Sequence, residues 1–268
     1  MSFHSSLPFA AITATLLSTS SFGALMAGDV ALVGFQASGS PTDSFSFATL
    51  VNLEAGTVLY FTDNGFTGTG FRGVSATDNN GNEGLSKYTV GASGLAAGQI
   101  VSSLSTNTAN GLWTYSGSIY ISGSGSYDDL GFSTSGEQLT VFQSTNAQPM
   151  LSDYTALYSF DNTGAYEPAT SSSTGQLAPG LVPGTSAILL PSPTGANFAN
   201  FNFGAFSGAA DRGTWLARMG SSANWITSTD TTGTADGSFS VSAVPAPGAL
   251  ALLACAGMVG SRRRRSAR

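Results

Sequence analysis

SFSFATLVNLEAGTVLYFTDNGF, residues 44 to 66, holds two runs rich in aromatic and β-branched residues, separated by a short polar break. In the first run Phe45, Phe47, Thr49 and Val51 fall on one face at period two, the spacing of a strand with one face buried. The second, TVLYFTD (57 to 63), has the same character and runs into Asp63, Asn64 and Gly65. That triplet admits two readings. As a ligand or calcium loop it would offer oxygen donors. As a turn closing the strand, Asp and Asn bond to local backbone and Gly supplies positive φ, and the turn is favoured because Asn-Gly after an apolar run is a strong turn signal.

Similar runs recur along the chain: DVALVGFQ (29 to 36), QIVSSL (99 to 104), EQLTVFQ (137 to 143), YTALYSF (154 to 160), TSAILL (185 to 190) and GSFSVSA (237 to 243). In EQLTVFQ, Leu139, Val141 and Gln143 alternate with Gln138, Thr140 and Phe142. Short strands separated by Gly, Ser and Asn turns predict an all-β sandwich or barrel. One short helix is expected over Ala209 to Met219, where Trp215, Leu216 and Met219 share a face and Asp211 favours the N-terminal end. No fixed-period repeat appears, and no linker is long enough to force two domains. The stretch from Tyr166 to Pro183, with its SSST run, reads as a flexible excursion.

Composition excludes several chemistries. The 268-residue chain is 41% apolar, enough for a real core, yet only 9% charged, with 34 glycines. That profile suits an extracellular or envelope β protein. Between Gly28 and Ala243 there are four basic and 15 acidic residues, a formal charge of −11. Neutralising phosphates needs clustered Lys and Arg, so a nucleic-acid-binding body is not expected. The single His is His4 and the single Cys is Cys255, both in terminal segments. The body therefore lacks the means for a Ser-His-Asp triad, a Cys-His dyad, an internal disulfide or a His/Cys zinc site.

What remains is oxygen chemistry. ATDNNGNEG (76 to 84) offers Asp78, Asn80, Asn82 and Glu83, the hard donors that calcium takes, with Gly81 for a tight turn. It lacks the 12-residue EF-hand spacing, so a solvated Asx-rich loop is the simpler reading. Asp128 and Asp129 make a weaker pair of the same kind. A carboxylate-based hydrolase acting on surface polysaccharide is the alternative to a binding protein, and it would need two carboxyl groups converging in a cleft. Ser86 adjoins Lys87 instead of preceding it by three, so no SxxK motif is present, and Lys87 reads as a solvent-facing residue of the strand LSKYTV. Trp113, Tyr115, Tyr120 and Tyr127, in WTYSGSIYISGSGSY (113 to 127), form the best candidate for an exposed aromatic surface that stacks on sugars. No catalytic residue stands out.

The two ends read as addresses. LPFAAITATLLSTSSFGALMA (7 to 27) has the length and small-residue ending of a signal peptide, with cleavage after Gly23 or Ala27, although MSFH carries no Lys or Arg. The partition expected is a signal peptide over 1 to 27, a sandwich over 28 to 243 and a tail over 244 to 268. In that tail the apolar run from Gly248 to Val259 would reach about 18 Å as a helix at about 1.5 Å per residue. That is short of a hydrocarbon core of about 30 Å. Arg262, Arg263, Arg264 and Arg265 follow as a stop on the cytoplasmic side.

The order Val244, Pro245, Ala246, Pro247, short apolar helix and terminal Arg cluster resembles the PEP-CTERM sorting signal, with Ala246 where the usual tripeptide has Glu. The resemblance implies export through signal peptidase, transient inner-membrane anchoring of the tail, cleavage near the Pro motif by an exosortase, and delivery to the cell surface or outside. GDVALVGFQ (28 to 36), FSFATLVNLEAGTVLYFTDNGF (45 to 66), SGEQLTVFQ (135 to 143) and APGLVPGTSAILL (178 to 190) make the body similar to exported bacterial proteins with lamin-tail-like β-sandwiches. That resemblance implies an Ig-like sandwich and supplies no catalytic residue. The function expected is non-enzymatic binding or structural association, with extracellular polysaccharide as a partner and calcium as the one candidate cofactor.

Overall fold

A computed structural model describes residues 24–37, 43–72, 84–115, 130–146, 152–171, 173–191, 198–228, 234 and 236–242. Its strands are β1 (Val30–Gln36), β2 (Ser44–Thr49), β3 (Val58–Thr62), β4 (Leu85–Val90), β5 (Gln99–Ser102), β6 (Gly111–Tyr115), β7 (Gln138–Ser144), β8 (Tyr154–Asp161), β9 (Ala187–Leu189), β10 (Phe198–Phe201), β11 (Trp225–Ser228) and β12 (Gly237–Ser238). They form two six-stranded sheets packed together, ordered β11-β10-β1-β2-β5-β12 and β6-β4-β3-β7-β8-β9. The chain is a β-sandwich, and its described residues include one short α-helix, α1 (Arg212–Met219). Pairing is antiparallel throughout except for β8 with β9.

The quoted stretch supplies one strand to each sheet, and its aromatic residues bring the sheets together. Phe45 and Phe47 of β2 meet Phe61 of β3 at ring-centroid distances of 4.9 and 5.2 Å. Phe35 of β1 stacks on Phe160 of β8 at 4.8 Å. Fully burying each such side chain contributes about 1.5–3 kcal/mol. A bulge in the β1–β2 ladder between Leu32 and Gly34 lets Leu32 oppose Phe47 and Phe35 oppose Phe45. One extra residue thus places Leu32 and Phe35 on the same face, against simple alternation.

The expectation of one buried face per sheet is corrected. All of β1 and β2 is buried, including the outward-facing Ser44, Ser46 and Gln36. Over that outer face lies Thr234, whose N–H donates to Ser44 Oγ at 3.1 Å and whose carbonyl accepts from Ser102 Oγ at 2.8 Å. The outer face of the second sheet carries its own apolar cluster, with Phe142 and Ala156 under Phe66, Phe71, Ala178 and Leu181. The stretch from Tyr166 to Pro183, expected as a flexible excursion, is much of this cover: Tyr166 donates its hydroxyl to the carbonyls of Ser159 and Ile188, and Gln176 N donates to Phe66 O at 2.8 Å.

Helix α1 begins at Arg212, three residues later than its expected start. Asp211 is the N-cap, accepting from Thr214 N at 2.9 Å. Gly213 therefore sits in the first turn, and Trp215, Leu216 and Met219 are the buried face. Trp215 packs edge-on against Phe239 at 4.7 Å, and Arg218 lies over the rings of Phe206 and Trp215 at 4.6 and 4.7 Å.

Candidate functional site

The proposed calcium ligands Asp78, Asn80, Asn82 and Glu83 lie outside the described residues, as do Asp128 and Asp129, His4 and Cys255, and the whole tail from Val244 through Arg265. Among the described residues no group of three or more His, Cys, Asp or Glu is arranged to hold a metal ion, and no helix is long and apolar enough to cross a membrane.

A concave surface forms where the β7–β8 half of the second sheet meets the segment preceding β1. Strand β9 pairs only with Ser159–Asp161, so the first half of β8 is left without a strand on that side. Residues 24–28 occupy part of this edge as a strap: Leu25 N donates to Gln143 Oε1 at 3.0 Å and Gly28 N donates to Leu157 O at 2.7 Å. Asp29 and Arg212 lock it. Asp29 accepts from Met26 N at 2.8 Å and pairs with Arg212 at 2.9 Å, while Arg212 also donates to the carbonyls of Ala27 and Gly28 at 2.7 and 3.1 Å. This Arg–Asp pair is half-buried, so its charge-assisted bonds are screened less than those of an exposed pair.

The strap has a cleft on either side. One, of about 310 Å³, is lined by Ala24, Thr57, Gln143, Ser144, Asp153 and Thr155 among others. The other, of about 380 Å³, is lined largely by apolar groups, including Leu25, Met26, Tyr154, Ala156 and Pro179. Thr155 borders both. Among the described residues, Asp153 is the one carboxylate lining these two clefts and the one non-glycine at positive φ, 57°. Asp tolerates that left-handed conformation better than most residues, and such positions concentrate at binding sites.

The most perturbed acids lie elsewhere. Asp63 is fully buried, and loss of hydration pushes its carboxyl up to about 8; hydrogen bonds from the backbone of Asp63, Gly84 and Gly131 hold it down only in part, and the nearby Asp43 charge adds to the rise. Burial likewise pushes Asp161 up to about 6, against hydrogen bonds from the Thr163 N–H at 2.7 Å and hydroxyl at 2.8 Å, with Glu167 adding repulsion. A buried acid with a raised pKa is a candidate proton donor only if substrate reaches it, and neither residue lines either cleft.

The Asp63-Asn64-Gly65 triplet does close β3, but not as an exposed turn. Asn64 is buried and donates to Thr62 Oγ1 at 2.9 Å and Gly84 O at 3.2 Å. Gly65 is absent from the positive-φ glycines; it is small because a Cβ there would run into the Thr174 carbonyl and the Gln138 amide. The tip of this excursion is Thr67–Gly70, with Gly68 at φ 94°. Arg72 is almost wholly buried, and its backbone N–H donates to Gly65 O at 2.8 Å.

The exposed aromatic surface is corrected at Trp113. Its ring lies inward, 4.8 Å from Tyr88 and 5.3 Å from Phe45 and Phe61, and its indole N–H donates to Ser102 O. Trp215 and Trp225 also donate to backbone carbonyls, of Ser240 and Met219. The side chain of Tyr115, and Tyr120 and Tyr127, lie outside the described residues. Lys87, expected to face solvent, is half-buried on β4.

The strap and its clefts had no motif to announce them. The signal available was the run of Ser, Thr and Gln at the ends of β7 and β8, which reads equally as ordinary surface. No family model, no curated protein and no solved structure matches this chain.

Proposed function

We propose that the chain is an exported protein, sorted through its C-terminal segment to the cell surface or extracellular matrix, where it binds polysaccharide without covalent chemistry. The observation that carries the binding half is the pair of clefts meeting at Thr155: one edged by hydroxyls, an amide and a carboxylate, the other apolar with a tyrosine. A sugar presents hydroxyls at its rim and C–H groups on its faces, and this surface is complementary to both. Export rests on the order of Val244, Pro245, Ala246, Pro247, apolar run and Arg262–Arg265, with signal peptidase and an exosortase as transient partners. The PEP-CTERM and lamin-tail-like resemblances support that reading.

A hydrolase needs a second carboxyl group in the cleft, roughly 5–9.5 Å from the first. Among the described residues lining the clefts, Asp153 is the one carboxylate, and the reading proposed is binding. The body's charge of −11 disfavours acidic glycans unless a divalent cation bridges.

A glycan array probed with and without calcium tests this. Neutral glycans are expected to bind in both conditions, and acidic ones only with calcium. Thr155→Arg, which fills the border of both clefts, is expected to weaken binding at least about tenfold, roughly 1.4 kcal/mol. Absence of glycan binding, or release of new reducing ends from a bound polysaccharide, would contradict the proposal.

A further inference from the structure

The strap bears on how the chain is processed, given the export reading above. Two peptide bonds, Gly23–Ala24 and Ala27–Gly28, follow the apolar stretch and lie after a small residue. The fold treats them very differently. Cleavage at Ala27–Gly28 would remove the Leu25 and Met26 N–H donors and the Ala27 carbonyl that Arg212 binds. It would also turn the Gly28 nitrogen into an ammonium. Gly28 is buried, its N–H is committed to Leu157 O at 2.7 Å, and a Cβ on it would stand 3.4 Å from an Arg212 guanidinium nitrogen. A new cation there would stand beside the Arg212 guanidinium and share with it the single Asp29 carboxylate, while the bonds that residues 24–27 make to Gln143, Asp29 and Arg212 would be lost.

Ala24 is exposed, so an ammonium at its nitrogen stays hydrated. Signal peptidase also selects small side chains at the first and third positions before the cut. Ser21 and Gly23 meet that requirement for Gly23–Ala24, whereas Leu25 stands third before Ala27–Gly28.

We propose that signal peptidase hydrolyses the Gly23–Ala24 bond, water giving its hydroxyl to the Gly23 carbonyl and its proton to the Ala24 nitrogen. The strap Ala24–Ala27 thus remains part of the mature protein. The new α-ammonium lies at the cleft that Ala24 and Asp153 both line, adding a positive charge to a body with four basic side chains. The retained segment lines both clefts, Ala24 one and Leu25, Met26 and Ala27 the other.

N-terminal sequencing of the protein recovered from the envelope of cells expressing the full chain tests this. Ala24 as first residue is expected. A first residue of Gly28, or any other beyond the leader, overturns the assignment while leaving export intact; an uncleaved Met1 start overturns both. Full-chain Gly23→Leu and Ala27→Leu variants give an independent readout. Gly23→Leu is expected to accumulate precursor several-fold and Ala27→Leu to process as before; the reverse pattern overturns the proposal.

Discussion

At the level of single residues, Asp63 and Asp161 make the chain's stability depend on pH. Each carboxyl is raised from 3.8 in the fold, to about 8 and about 6, so the folded chain holds a proton that the unfolded chain has released. Their contribution is therefore fully present below about pH 4 and is lost as pH rises through 6 and then 8. Asp63→Asn keeps an acceptor for the Gly131 N–H while removing the ionisation. It is expected to flatten most of the decline between pH 6 and 8 and to raise the melting temperature at pH 8. Thermal melts of both proteins across pH 4 to 9 check this; parallel curves would contradict it. Nothing in FTDNGF announced that its Asp would be buried. The turn signal was legible, but burial came with the approach of Gly84 and Gly131, which depends on long-range packing.

At the level of elements, the longer strands were legible because period-two runs of Phe, Val, Leu and Thr bound their ends to Gly and Ser turns. FANF at β10 and WITS at β11 were not, since four residues give too few repeats to establish a period. Trp113 was misplaced because an aromatic strand beside a Gly/Ser-rich run looks the same whether its ring faces sugar or Tyr88. The helix was legible in position and in its buried face, down to Asp211. Asp211→Ala removes the acceptor for the Thr214 N–H and hydroxyl, and is expected to lower the urea-unfolding midpoint. An unchanged midpoint would show that the packing of Trp215, Leu216 and Met219 alone holds α1 in place.

At the level of the whole molecule, a low charged-residue content and an acidic body go with a sandwich whose central strands β1 and β2 are buried on both faces. Ser44 of β2 and Thr140 of β7 are interior groups bonded to neighbouring segments, so Ser/Thr abundance here measures buried hydrogen bonding as well as polar surface. The fold class was legible because alternation and turn chemistry agree along the chain. The clefts were not, because they arise from a strap and a strand edge that meet only in three dimensions. Under the proposed function this sandwich is carried out of the cell and released from its tail. The direct test is intact-mass analysis of the protein recovered from envelope and medium. A species ending near Pro245, without Arg262–Arg265, is predicted; full-length protein retained in the inner membrane with its arginines in place would contradict it.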